Sequence, residues 1–196
     1  MAYDEKFYEM YRKYLMEKTV RASHGRVFEY FRTFTRQNLL YVVDLGCGLG
    51  EYYIFGPYID YVGIDLNNDI GDTKYFVLAD YHDLGFVERL PFRPNVFVSL
   101  FSIACCHPAA EEYALYENIF AEVPTIEYGL VGGFFYENKR DLETIGETGG
   151  LISYQTIEDP SKHISERFDE FRLHMRTPSK MFGKDVIEVW KILSRR

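Results

Sequence analysis

Hydrophobic positions along the chain change their period near residue 39. Before it, Phe7, Met10, Tyr11, Tyr14 and Leu15, and then Val27, Phe28, Phe31 and Phe34, recur at helical spacing, the pattern of an amphipathic helix. Residues 5–36 are therefore expected to be helical in two pieces, interrupted at Ser23-His24-Gly25. After it come short continuous apolar runs at 39–43, 61–64, 75–78, 96–101 and 130–136. Runs of this kind suit parallel strands buried on both faces. A helix is predicted over 109–123, while residues 67–72 leave little room for one. Strands joined by helices or short crossovers define an α/β domain with a mostly parallel sheet. In the tail, residues 171–175 and 186–193 flank Pro178 and Gly183 and read as an antiparallel hairpin added to the sheet. Residues 151–157 read as a further strand. No internal repeat breaks the pattern.

The length of 196 residues suits one domain with a sizeable core. Hydrophobic residues at 47% and charged residues at 27% exclude disorder across the whole chain. Sixteen Phe, 17 Tyr and a single Trp favour surfaces that are apolar on one side and hydrogen-bonding on the other. No apolar run reaches the length of a membrane span, and the first residues lack the basic-then-apolar plan of a signal peptide. Cys47, Cys105 and Cys106 form neither a metal-type CxxC pair nor an even disulfide framework. A reduced, cytoplasmic location without metal or membrane is the expectation. Net charge is −8, which opposes non-specific nucleic-acid binding. Its distribution is uneven. Residues 1–40 carry 8 basic and 5 acidic side chains, residues 41–159 carry 5 and 20, and residues 160–196 carry 9 and 5. The acidic middle thus lies between basic ends, which suits a solvated surface or, more sharply, two ends meeting an anionic substrate.

The most informative segment is Val42-Val43-Asp44-Leu45-Gly46-Cys47-Gly48-Leu49-Gly50-Glu51. A buried strand ends in an acid and runs into a G-x-G-x-G loop. Glycine tolerates positive φ and lets a ligand approach the backbone, and the carboxyl end of the first strand is where open α/β sheets bind ligands. The third glycine comes one residue early for a dinucleotide fingerprint, and no P-loop lysine follows. The loop therefore suits a nucleoside without bridging phosphates. Asp65 ends the second strand, where a carboxylate accepts both ribose hydroxyls. Asp80 ends the third, where it accepts from an adenine amino group. Single acids at strand ends are commonly caps or turn residues; three after three successive strands point to one ligand.

These residues resemble the class I S-adenosylmethionine-dependent methyltransferases over roughly residues 38–137. The resemblance implies a single Rossmann-like domain with a seven-stranded sheet whose last strand is antiparallel. It divides the chain into an N-terminal helical lid (1–37), a cofactor-binding core (38–137) and C-terminal strands (138–196). Asp44, Gly46, Gly48 and Gly50 match the motif that cradles the methionine part of the cofactor, with Cys47 inside it. Asp65 matches the ribose-binding acid, Leu66 lies beside the adenine, and Asp80 matches the adenine-amino contact, followed by Tyr81. The segment between Gly50 and Asp65 is shorter than usual in the family. Asn95 stands where the fourth strand usually begins with an acid.

Methyl transfer from a sulfonium requires alignment of a nucleophile, exclusion of water and sometimes a base. In the family register Ser102 and Ile103, after the fourth strand, approach the reactive methyl. His107 is a candidate base, or a packing histidine before the first helical residue Pro108. Cys105 and Cys106 read as small apolar residues. His24, the second catalytic candidate, lies in the segment expected to cover the cofactor, with a hinge or an ordinary helix break at Gly25, while Tyr8, Tyr11 and Tyr14 line the pocket or join the core. Residues 137–141 form a loop after the fifth strand. The implied function is methyl transfer from S-adenosyl-L-methionine to a small, anionic or aromatic acceptor. RNA or cap methylation is an alternative, supported by basic ends and aromatics, and a cofactor-binding regulatory subunit without turnover is another. The sequence leaves the oligomeric state open.

Overall fold

The computed structural model of the protein describes residues 9, 12–48, 59–66, 76–135, 164–180 and 184–196. A helical turn at 12–15 leads into helix α1 (Lys18–Thr35) and strand β1 (Leu40–Leu45), followed by β2 (Ile59–Asp65) and β3 (Phe76–Leu78). A 3-10 helix (Leu84–Arg89), β4 (Val96–Leu100), a short helix α2 (Ile103–Cys106), α3 (Ala109–Glu122) and β5 (Tyr128–Phe135) come next. The chain ends in β6 (Phe168–Ser179) and β7 (Lys184–Arg195). The seven strands form one sheet in the order β3-β2-β1-β4-β5-β7-β6. β1 to β5 pair in parallel, and β7 lies antiparallel between β5 and β6. The expected mixed seven-stranded α/β architecture with an antiparallel hairpin is what forms.

Alternation along the strands sorts two cores. Val42, Val96, Val98, Leu100, Leu130, Trp190 and Ile192 face α1. Their neighbours Val43, Phe97, Val131 and Leu193 face α3 with Tyr116, Ile119 and Phe120. This two-sided burial explains the unbroken apolar runs. α1 presents Val20, His24, Val27, Phe28 and Phe31 to the sheet at three- and four-residue spacing, and each large apolar side chain buried there contributes about 1.5–3 kcal/mol.

The N-terminal helix does divide, but at Met16 and Glu17, not at Ser23-His24-Gly25. α1 runs unbroken through Gly25 because its buried face is continuous on either side, and packing outweighs the roughly 1 kcal/mol cost of an interior glycine. The break at Glu17 has its own cause. The Glu17 carboxylate accepts from Ser179 Oγ and Lys180 N, both at 2.8 Å, at the end of β6, and Thr19 Oγ1 donates to the Pro178 carbonyl at 2.9 Å. Pro178, expected in the turn, lies within β6 opposite Asp185; an edge strand tolerates the missing N–H. Residues 151–157, Tyr8, Tyr11 and residues 137–141 lie outside the described residues. No helix among the described residues is long and apolar enough to cross a membrane.

Candidate cofactor site

The parallel strands wind outward in two directions from the β1–β4 boundary, since β2 and β3 lie on one side and β5 on the other. Open α/β sheets bind ligands at such a switch point, outside the carboxyl ends of the strands. The loop after β1 emerges there. Gly46 N and Cys47 N donate to the Ile64 carbonyl at 2.8 and 3.1 Å, so the loop leans over β2. Gly46 and Gly48 take φ of +70° and +50°, a region side-chain-bearing residues avoid. A Cβ on Gly46 would fall 1.9 Å from Ser102 Oγ and 3.3 Å from the Tyr81 ring. The loop, the β4–α2 turn and the segment after β3 therefore meet around this glycine, and it is the protein's own packing that forbids a side chain there.

Asp65 closes the arrangement. Its Oδ2 accepts the Gly48 N–H at 2.8 Å, which ties the end of β2 to the glycine loop. Asp44 is buried and accepts from the Tyr61 hydroxyl at 2.6 Å. Cys47 packs its sulfur where a Cβ on Gly63 would lie, and burial beside Asp44 and Asp65 pushes its thiol pKa far up. It is thus a packing residue rather than a thiolate. Leu66 stands exposed at the end of β2. Asp80 accepts from His82 N at 2.9 Å and from His82 Nδ1 at 2.7 Å, and the backbone donor is the first cause holding its carboxyl below the usual range. Gly50 lies outside the described residues, as do the side chains of Cys105 and Cys106.

The remaining candidates separate. Ser102 is buried at the start of α2, and Ile103, wholly buried beside it, anchors its amide on Ser99 Oγ at 3.0 Å. His107 follows α2. Its Nε2 is 3.0 Å from the Tyr81 hydroxyl and its Nδ1 3.4 Å from Glu111. The His82 ring stands edge-on to it with centroids 5.0 Å apart. Tyr81 and His107 thus belong with Gly46 and Ser102. His24 lies on the α1 side, wholly buried and with Nε2 3.0 Å from Glu188 Oε1, and it presents no surface to solvent. Tyr14 joins the same buried group through Glu188. Asn95, the departure at the start of β4, lies at the opposite edge. Its Oδ1 accepts from Tyr41 N at 2.8 Å and its Nδ2 donates to Gln37 at 2.6 Å, which fixes β4 beside β1 without touching the crevice. Tyr61, His82 and Glu188 are not expected from sequence. A lone acid inside the apolar run of β7 is the available signal for Glu188. Among the described residues no group of His, Cys, Asp and Glu has the arrangement of a metal site.

No protein-family model and no curated protein matches the chain. Solved structures do. The magnesium protoporphyrin IX methyltransferase of Synechocystis PCC 6803 with bound SAH is 13% identical, covers 98% of this chain and 95% of its own, and superposes with a TM-score of 0.64. The N-methyltransferase NodS from Bradyrhizobium japonicum WM9, in complex with S-adenosyl-L-homocysteine, is 10% identical over 98% of this chain and 99% of its own, with a TM-score of 0.58. The plantazolicin methyltransferase BpumL, with a desmethyl analogue and SAH, is 13% identical over 98% and 92%, with a TM-score of 0.59. The fold is that of the class I S-adenosylmethionine-dependent methyltransferases.

Proposed function

We propose that the protein transfers a methyl group from S-adenosyl-L-methionine to a small-molecule acceptor. The observation that carries this is the Gly48–Asp65 contact at the sheet's switch point. It sets a carboxylate at the end of β2 against a loop whose two described glycines hold positive φ. An acid so placed suits the vicinal hydroxyls of a ribose, and the exposed backbone of the loop suits the amino-acid part of the cofactor. Asp80 and Tyr81 then border the adenine, with Leu66 beside it, and Ser102 borders the sulfonium. The cofactor supplies an electrophilic methyl group. The protein's part is to orient the acceptor and exclude water. For an acceptor that reacts through a hydroxyl or a protonated amine, His107 is assigned as base, its Nε2 exchanging the Tyr81 hydroxyl for the acceptor's proton. The N-terminal segment is assigned as cover to the crevice; Glu17 and Thr19 fasten the start of α1 to the end of β6, at the carboxyl edge of the sheet, while α1 itself packs on the sheet face. The fold of the solved methyltransferases, some holding SAM or SAH, supports the cofactor assignment.

Incubation with isotopically labelled S-adenosylmethionine and pooled small metabolites, followed by mass spectrometry, tests this directly. Label appearing in a metabolite, with release of S-adenosylhomocysteine, is the expected result. Cofactor binding with no transfer from any pool would favour a regulatory subunit, and label in RNA alone would favour the nucleic-acid alternative.

A further inference from the structure

Glu188 is an acid in an apolar strand, and no solvent reaches it. It pairs with Phe134 of β5, two residues beyond Gly132, which lies opposite Leu100 at the end of β4. The carboxylate is therefore level with the carboxyl edge of the sheet, on the side of α1. It gathers donors from separate parts of the chain: the Tyr14 hydroxyl, His24 Nε2 at 3.0 Å and Trp190 Nε1 at 3.1 Å. The His24 ring stacks on Phe101 with centroids 5.4 Å apart and planes at 27°, and Trp190 stands edge-on to both rings.

Phe101 carries this contact to the crevice. Its φ is +59°, a backbone state that a bulky side chain keeps only when its surroundings impose it. Its amide donates to the Gly132 carbonyl at 2.8 Å, and the next residue is Ser102, whose hydroxyl packs against Gly46. A buried carboxylate is a poor choice for holding a helix to a sheet, because apolar side chains of similar volume do so without the cost of desolvation. Its place against a strained turn gives it another use.

We propose that Glu188 and His24 are positioning residues for the cofactor site: the pair fixes the Phe101 ring and thereby the left-handed turn that sets Ser102 against the glycine loop. The proposal rests on the reading of that crevice as an S-adenosylmethionine site. Neither residue touches the ligand. They link the N-terminal helix to the shape of the site, so that undocking α1 loosens the turn.

The test compares wild type with Glu188→Gln, which keeps the shape and an acceptor oxygen but removes the charge. Two quantities are read: S-adenosylhomocysteine affinity by calorimetry, and amide hydrogen exchange at Phe101 and at Val43. Expected are affinity weaker by about tenfold and Phe101 exchange faster by about tenfold with Val43 unchanged. Unchanged exchange at Phe101 overturns the proposal whatever the affinity, and faster exchange with unaltered affinity overturns it too. Uniformly faster exchange at both amides marks a merely structural role and likewise overturns it. If Glu188→Gln does not fold, His24→Gln, which keeps a donor for Glu188 but removes the ring stacked on Phe101, is put through the same measurements with the same criteria. If the wild type binds no S-adenosylhomocysteine, the assigned function fails, and Phe101 exchange in the variant alone decides whether the pair holds the turn.

Discussion

Asp65 has an observed contact and a proposed one, and substitution can separate them. Its Oδ2 holds the Gly48 amide at 2.8 Å, and its carboxylate is assigned to the ribose hydroxyls. Asn in its place retains a carbonyl oxygen for Gly48 N and loses only the charge. A hydrogen bond to a charged group is worth about 1.5–3 kcal/mol and a neutral one about 0.5–1.5 kcal/mol, so Asp65→Asn should cost about 1–1.5 kcal/mol of binding, or about tenfold in affinity. Asp65→Ala removes the ligand contact altogether and also leaves the Gly48 N–H without its acceptor. Its affinity loss should reach the order of 100-fold, and its melting temperature should fall as well. Calorimetry with S-adenosylhomocysteine, run beside thermal unfolding, reads both effects. Asn also weakens the charged bond to Gly48, so stability should fall in both variants. A ribose-binding acid predicts, in addition, a graded loss of affinity from wild type through Asn to Ala; an acid that serves only to anchor the loop predicts lower stability with the affinity of the folded protein unchanged, and that result would refute the assignment.

Gly46→Ala should destabilise the fold by about 1–3 kcal/mol and abolish detectable cofactor binding, because φ of +70° is strained for alanine and the new Cβ meets Ser102 Oγ; chemical denaturation checks the first and calorimetry the second. On the far face, Lys191 is buried in a salt bridge to Glu112, which also accepts from Tyr116. Lys191→Met should cost about 3–5 kcal/mol by leaving Glu112 buried without its countercharge, and adding Glu112→Leu should recover most of it, with denaturant midpoints as the readout. Asp80 contributes to stability above the usual carboxylate pKa of about 4, since its folded pKa is lowered. That contribution is lost as pH falls through the lowered value, so the difference in melting temperature between wild type and Asp80→Asn should shrink from pH 6 to pH 3.

Parallel strands buried on both faces announce themselves, and Val42-Val43 or Val96-Phe97-Val98 could hardly be anything else. The glycine loop and the acids at the ends of β1, β2 and β3 are legible for the same reason: they are local in sequence and their spacing follows the strands. What depends on distant partners is not. Gly25 reads as an interruption because its low helix propensity is local, while the sheet that holds α1 straight is not. His24 reads as a residue for a pocket, yet its partner Glu188 is 164 positions away. Pro178 reads as a turn because no local signal distinguishes an edge strand from a loop. Likewise Glu188 and Lys191 give β7 the polarity of a half-exposed strand, although both are buried, each satisfied by a partner from a different layer.

The most direct measurement is a calorimetric titration of the full chain with S-adenosylhomocysteine, with NAD as the control ligand. One molecule bound per chain, lost in Asp65→Ala, together with no heat from NAD, is the predicted outcome. Binding of NAD, or no binding of S-adenosylhomocysteine to a folded protein, would contradict the assignment of the crevice.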